Sequence, residues 1–288
     1  MKKIKLLILN FISILIIDVS ASKAEKFILG LQNYDQQISS YQESVVELAL
    51  QHIPGSHSFE IKRLEVSQDR IFRFLEDENS EIDFSIGGYS RDKEQRFLQL
   101  DIPISRGILG YRIFAIRDDS KDMFHSIETL EDLKGQVVVG SGIGWPDTEI
   151  FRANGFRVEA ASYRNLWLML AKGRYDAFNR GIGEAYLEIN SYADLLPNLT
   201  VDDSLMVHYP YGQFFYFKKS AQRKHDLLME GIQAAYDSGA YMKLFNSHPQ
   251  IRQVFEIVKP TGRKNFEMIN PEISDRIKAI PAKYWHKF

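Results

Sequence analysis

Two short stretches of this chain hold residues whose types and order suit the capture of a small charged molecule. The first reads Ser141, Gly142, Ile143, Gly144, Trp145, Pro146, Asp147, Thr148 and follows an apolar run at 136–139. A β-rich burst that empties into a glycine turn and then a helix gathers free backbone N–H groups and the positive end of a helix dipole, which attract an anion. Gly142, Ile143 and Gly144 would supply the turn, Trp145 a face for stacking, and Asp147 or Thr148 a helix cap or a ligand contact. The second stretch follows a short strand at 175–178 and reads Asn179, Arg180, Gly181, Ile182, Gly183, Glu184. Ligands of open α/β sheets sit beyond the carboxyl ends of strands, so both loops are expected to line one crevice.

Other candidate contacts sit at the mouths of other strands. Arg96 lies in a charged turn after Gly87 and Gly88, and Arg106 lies between Ser105 and Gly107. Tyr34 follows the first strand, and Tyr89 follows the first glycine pair. Beyond the carboxylates of Glu184 and Asp147, the pattern offers no catalytic group. The seven histidines lack metal-ligand spacing, no Ser-His-Asp order stands out, and the absence of cysteine removes thiolate chemistry, disulfides and Cys-ligated zinc. No catalytic residue, metal or cofactor is therefore assigned.

The elements that must position these residues alternate between strand and helix, the pattern of a sheet covered by helices. Strands are expected at 27–31, 59–64, 82–86, 97–104, 107–116 and 212–217. Helices are expected at 39–52, 68–76 and 127–133, with a long one at 227–245 and an irregular chain after Pro260. Trp167, Leu168 and Met169 read as core, and Tyr209 and Tyr211 as hinge packing. Crossings near Ala115 and Phe217 bracket a central block, the geometry of a hinge with a cleft between lobes. The expected division is 25–115 plus 218–288 for lobe 1 and 116–217 for lobe 2.

The first 24 residues have the three parts of an export signal. Lys2, Lys3 and Lys5 precede an apolar stretch at 6–17, and small residues before Ala21 and Ala24 offer cleavage sites. The apolar stretch is shorter than the roughly twenty residues a membrane span needs. Removing the signal's net +3 (Lys2, Lys3, Lys5 and Lys23 against Asp18) from the chain's −2 leaves about −5. A mildly acidic exported protein is a poor candidate for nucleic acid or anionic lipid, and a monomer is expected.

The order of elements resembles the type II periplasmic solute-binding proteins, particularly the polar amino-acid-binding family (extracellular solute-binding protein family 3). The resemblance rests on Glu94-Gln95-Arg96 followed by Asp101, and on Ser126-Ile127 through Asp132-Leu133-Lys134-Gly135. Ser141-Gly142-Ile143-Gly144 and Gly173-Arg174-Tyr175-Asp176-Ala177 complete it. The motifs from Gly107 to Arg112, from Trp145 to Thr148, and Asn179-Arg180-Gly181 with Glu184 mark a divergent subgroup. The resemblance implies a two-lobed α/β fold that closes on a carboxylate-bearing solute, and as partners an ABC transporter permease or a membrane sensor.

The same resemblance assigns roles. Arg96 would grip the ligand carboxylate bidentately, and the N–H groups of Gly142, Ile143 and Gly144 would share it. Where relatives carry an aspartate for the ligand ammonium this chain has Gly181, so Glu184 would have to substitute. Arg180 brings positive charge there, which points to a ligand more anionic than a simple amino acid. Two other readings stay open: a dehydratase of the same fold with Glu184 or Asp147 as general acid, and a lobe pair that binds only protein.

Overall fold

The computed structural model describes residues 24–33 and 36–288. Residues 1–23 of the expected signal, and Tyr34, lie outside them. Among the described residues, apolar runs form twelve strands: β1 (Lys26–Gln32), β2 (Ser58–Leu64), β3 (Phe84–Gly88), β4 (Leu98–Gln99), β5 (Tyr111–Arg117), β6 (Val138–Gly142), β7 (Arg157–Ala161), β8 (Ala177–Gly181), β9 (Leu199–Val201), β10 (Leu205–His208), β11 (Gln213–Phe217) and β12 (Lys264–Glu267). They build two sheets, hence two lobes. The first has the order β2-β1-β3-β11-β4, and the second β12-β10-β5-β8-β6-β7 with β9 beside β5. In the first sheet β1 runs parallel to β2 and β3, while β11 returns antiparallel between β3 and β4.

Each sheet buries a dense aromatic layer. Phe84 stacks on Phe217 with centroids 4.6 Å apart and meets Phe215 edge-on at 5.7 Å. Burying each such ring is worth about 1.5–3 kcal/mol, which makes the sheet a stiff platform for the loops at its end. In the second lobe Trp167 is fully buried against Phe178, as expected of a core residue, whereas Leu168 on the same helix faces solvent.

The chain changes sheet at 100–110 and at 209–212, slightly earlier than the joints expected near 115 and 217. All of β5 pairs within the second sheet, with β8, β9 and β10, and all of β11 with β3. The expected strand at 97–104 shrinks to β4, because the chain turns at Ile102 (N–H to Leu100 O, 2.8 Å) ahead of Pro103. The expected long helix is two, Gln222–Asp237 and Ala240–Ser247, broken at Gly239 with φ 78°. No described helix is long and apolar enough to cross a membrane.

The segment after Pro260 is ordered and crosses between lobes a third time. β12 lies parallel to β10 in the second sheet. The chain then returns along both lobes: Ile269 exchanges two hydrogen bonds with Asn154 (2.8 and 3.0 Å) of the second lobe. Three residues on, Arg91 of the first lobe donates to the Glu272 carbonyl at 3.0 Å, and Arg276 pairs with Asp101 at 2.8 Å. Finally the His286 N–H donates to Arg106 O at 2.7 Å, closing the tail over the first crossing.

Candidate functional site

The glycine turn and the arginine loop meet as expected, at the carboxyl ends of β6 and β8. Helix Pro146–Ala153 begins with proline, whose fixed φ suits the first turn. Its N-cap is Trp145, without a side-chain cap, so neither Asp147 nor Thr148 does the expected capping. Thr148 turns inward instead, donating to the Gly142 carbonyl at 2.8 Å and lying 2.9 Å from Ser141 Oγ. Gly142 has no side chain because the Trp145 indole lies on it; an added Cβ would come within 2.3 Å of the ring. Gly144 has φ 78°, and there an added Cβ would sit 2.2 Å from the Asp69 carboxylate, which reaches across from the first lobe.

Trp145 carries the two loops into register. Its ring stacks on Phe178 at 6.1 Å, and the Arg180 guanidinium lies 4.8 Å from its centroid. Such cation–π contact strengthens as the cation is shielded from water, and Arg180 is buried here. Arg180 is buried and grips Glu188 with both Nε and Nη2 in a bidentate pair. Its Nη2 also lies 3.0 Å from Glu184 Oε2. The same Glu184 oxygen accepts the Gly181 N–H at 3.0 Å, and a Cβ at Gly181 would intrude on Glu184 and on Arg112 alike. Glu184 thus returns a carboxylate to the place where Gly181 lacks one.

A second buried cluster stands beside it. Arg112 of β5 pairs with Asp147 at 2.7 Å and donates to Asn179 Oδ1 at 3.2 Å. Tyr209 and Tyr211, from the second crossing, both donate to Asp147, the latter at 3.3 Å. They are therefore more than hinge packing, since they tie the hinge to the loop of the site. Burial raises both phenols far above their ordinary range, so they remain donors at any physiological pH. Burial also pushes Glu188 up. For Glu184 burial acts upward too, but Arg180 and Arg112 outweigh it and hold that carboxyl below its ordinary value.

These groups form one wall of a cavity of about 120 Å³ between the lobes. The opposite wall, from the first lobe, carries no charge: Gln32, Ser39, Gln42, Gln68, Ser85 and Gln213 stand among Leu31, Ile71 and Ile86. Sites that bury a drug-sized molecule have roughly 300–1,000 Å³, so this one suits a small molecule or one end of a larger one. Arg112 and Arg180 face Asp147, Glu184 and Glu188, a formal balance of −1 when all three carboxylates are ionised. Trp145 and Pro146 separate the cavity from an open crevice of about 470 Å³, lined by Ser90, Lys93, Gly144 and Thr148 among others.

Four expected contacts lie outside the central cavity, two of them, Arg96 and Ile143, on the lining of the crevice beside it. Arg96 is partly exposed at the crevice rim, held by Glu76 (2.6 Å) and by Asp92 of its own helix. Arg106, at φ 55°, donates to the Lys283 and Trp285 carbonyls under the C-terminal tail. Tyr89 is buried in the first lobe's core against Phe214. Ile143 stands exposed at the mouth of the crevice. Conversely, Arg112, Glu188, Tyr163 and Lys93 were not foreseen. A charge inside the apolar strand Tyr111–Arg117 was the available signal for Arg112, and the spacing of four from Glu184 the signal for Glu188.

No family model matches the chain, and no curated protein does. Solved structures do. An ancestral arginine-binding protein bound to arginine superposes with TM-score 0.55 at 15% identity, over 77% of this chain and 96% of that one. An amino-acid ABC transporter substrate-binding protein from Streptococcus pneumoniae, bound to L-arginine, gives 0.54 at 14% identity over 83% and 97%. An ancestral amino-acid-binding protein described as a precursor of cyclohexadienyl dehydratase gives 0.54 at 14% over 77% and 94%. At such identity the likeness is one of fold: the chain has the two-lobed type II fold of these substrate-binding proteins.

Proposed function

We propose, from the fold it has in common with amino-acid ABC transporter substrate-binding proteins, that this chain is an exported protein that closes two lobes on a small, polar, amino-acid-like solute. It would hand that solute to an importer or report it to a membrane sensor. The observation that carries the reading is the interlobe cavity, neutral amides and hydroxyls on one wall and a buried ionic network on the other. Only the closed pair of lobes offers both walls, so a ligand that bridges them selects the closed state.

Arg180 favours a different ligand charge from the one its presence in the sequence suggested. Glu184 and Glu188 already neutralise it, and Asp147 neutralises Arg112. A strongly anionic ligand would have to displace those carboxylates, whereas the −1 balance of the wall suits an ammonium group. Glu184, held ionised by its arginines, has no proton to give at neutral pH, which supports binding without turnover. Isothermal titration with the common amino acids, dicarboxylates and short peptides tests the reading. One or a few amino-acid-like solutes are expected to saturate a single site; a panel in which none saturates overturns it.

A further inference from the structure

The segment after Pro281 lies across the hinge and touches both lobes. Tyr284 is buried against the first lobe, edge-on to Tyr236 with centroids 4.8 Å apart, and Lys283 faces Asp237 of the same helix at 3.7 Å. Four residues on from Tyr284, Phe288 meets Tyr111 edge-on at 4.8 Å, and Tyr111 opens β5 in the second lobe. The other neighbour of Phe288 is Phe255 at 5.7 Å, beside Phe245 of the first lobe. Consecutive residues of a strand point to opposite faces. Arg112 lines the cavity, so Phe288 touches β5 on the face turned away from it.

Between these ends the segment grips the first crossing where its backbone is most constrained. Arg106 and Gly107 are both left-handed, with φ 55° and 75°. Glycine takes that conformation freely, whereas arginine takes it at a cost and keeps it only where its surroundings impose it. The Arg106 carbonyl accepts the His286 N–H at 2.7 Å, and its Nη2 donates to the Lys283 and Trp285 carbonyls, both at 3.2 Å. The Trp285 ring covers Gly107, where an added Cβ would come within 2.3 Å of it. The second crossing is tied to the first: the Tyr209 N–H donates to Gly110 O at 3.1 Å, and an added Cβ at Gly110 would sit 2.4 Å from the Tyr209 carbonyl. What fixes Arg106 and Gly107 therefore restrains both crossings.

We propose that residues 284–288 are a splint across the hinge, which holds Arg106 and Gly107 left-handed and so biases the lobes toward the closed arrangement before any ligand arrives. Without the splint, rotation at Arg106 relieves its backbone and the lobes separate. None of residues 282–288 lines the cavity or the crevice beside it, so the device acts on the angle between the lobes and not on the ligand. A closed state populated in advance raises the apparent affinity in proportion to its population. The splint is independent of what the solute is, and its test uses none.

The chain has no cysteine, so Arg70→Cys and Asn165→Cys each accept one spin label. Both positions are exposed, next to Asp69 and Arg164, which face the cleft from its two sides. Pulsed electron resonance then reads the distance between the lobes, after unfolding, dialysis and refolding have stripped any bound solute. The full chain is expected to give one narrow distribution. Deleting Trp285–Phe288 should lengthen its mean by about 5 Å. Trp285→Ala and Phe288→Ala leave Tyr284 anchored; each should give part of that lengthening, and they decide the matter if the deletion does not fold. A segment that merely packs on the first lobe would lower the thermal unfolding midpoint and leave the distance unchanged. That result overturns the inference, as does a full chain already as open as the deletion. Failure of the solute reading is separate: it shows in the titration panel, whatever the labels report.

Discussion

Arg180 balances two carboxylates, Glu188 fully buried and Glu184 partly so, and its removal strands Glu188 away from water. Breaking a buried pair from one side costs about 3–5 kcal/mol, because the remaining charge is left uncompensated. Arg180→Met should lose that much in urea unfolding, and adding Glu188→Gln should recover more than half. Lys93 presents the opposite case. Burial takes it from 10.5 to about 8, so between those values the unfolded chain binds more protons and stability rises with pH. Below about pH 8 the ammonium is charged in both states and the penalty is complete, about 3 kcal/mol. The stability advantage of Lys93→Met over wild type should therefore shrink by about that amount as pH rises from 8 to 10.5. Arg180 and Glu184 were legible in the sequence because charges interrupting a glycine loop stand out. Their partnership with Glu188 was not, since it depends on helix Ala185–Tyr192 bringing Glu188 within reach of the Arg180 guanidinium. That Arg96 is held by Glu76 was not legible either, since the two lie twenty residues apart on different helices.

At the scale of elements, the strand–turn–helix unit from β6 to helix Pro146–Ala153 was readable, and it sits where the cleft needs it. Its tightest point is Gly144, which has both a left-handed backbone and the Asp69 carboxylate packed over its Cα. Gly144→Ala would put a methyl group between the lobes and strain the turn by roughly 1 kcal/mol. The variant should fold, bind its solute at least tenfold more weakly by calorimetry, and give a larger radius of gyration in solution scattering with ligand present. Other elements escaped for physical reasons. β12 (Lys-Asn-Phe-Glu) has one apolar residue in four, and only its pairing with β10 makes it a strand. The helix expected at 227–245 keeps its apolar period through Gly239, where the backbone alone breaks it.

For the whole molecule, alternation of elements disclosed the two-lobed architecture, but a third crossing has no local signature, because it depends on contacts between residues far apart in sequence. The return from β12 crosses the cleft a fourth time, and its anchors set a length. Ile269 is fixed to Asn154 on one side of the cleft and Glu272 to Arg91 on the other, three residues apart. A chain spans at most about 3.6 Å per residue, so this tether allows roughly 10 Å between its anchors. The aperture through which a solute enters is then capped by chain length, whatever the flexibility of the hinge. Size selection becomes partly a matter of entry rate: a bulky molecule is slowed at the door even when the closed site would fit it. Asn154→Ala cuts the tether at one end, and stopped-flow binding should show association and dissociation accelerating together while affinity changes little.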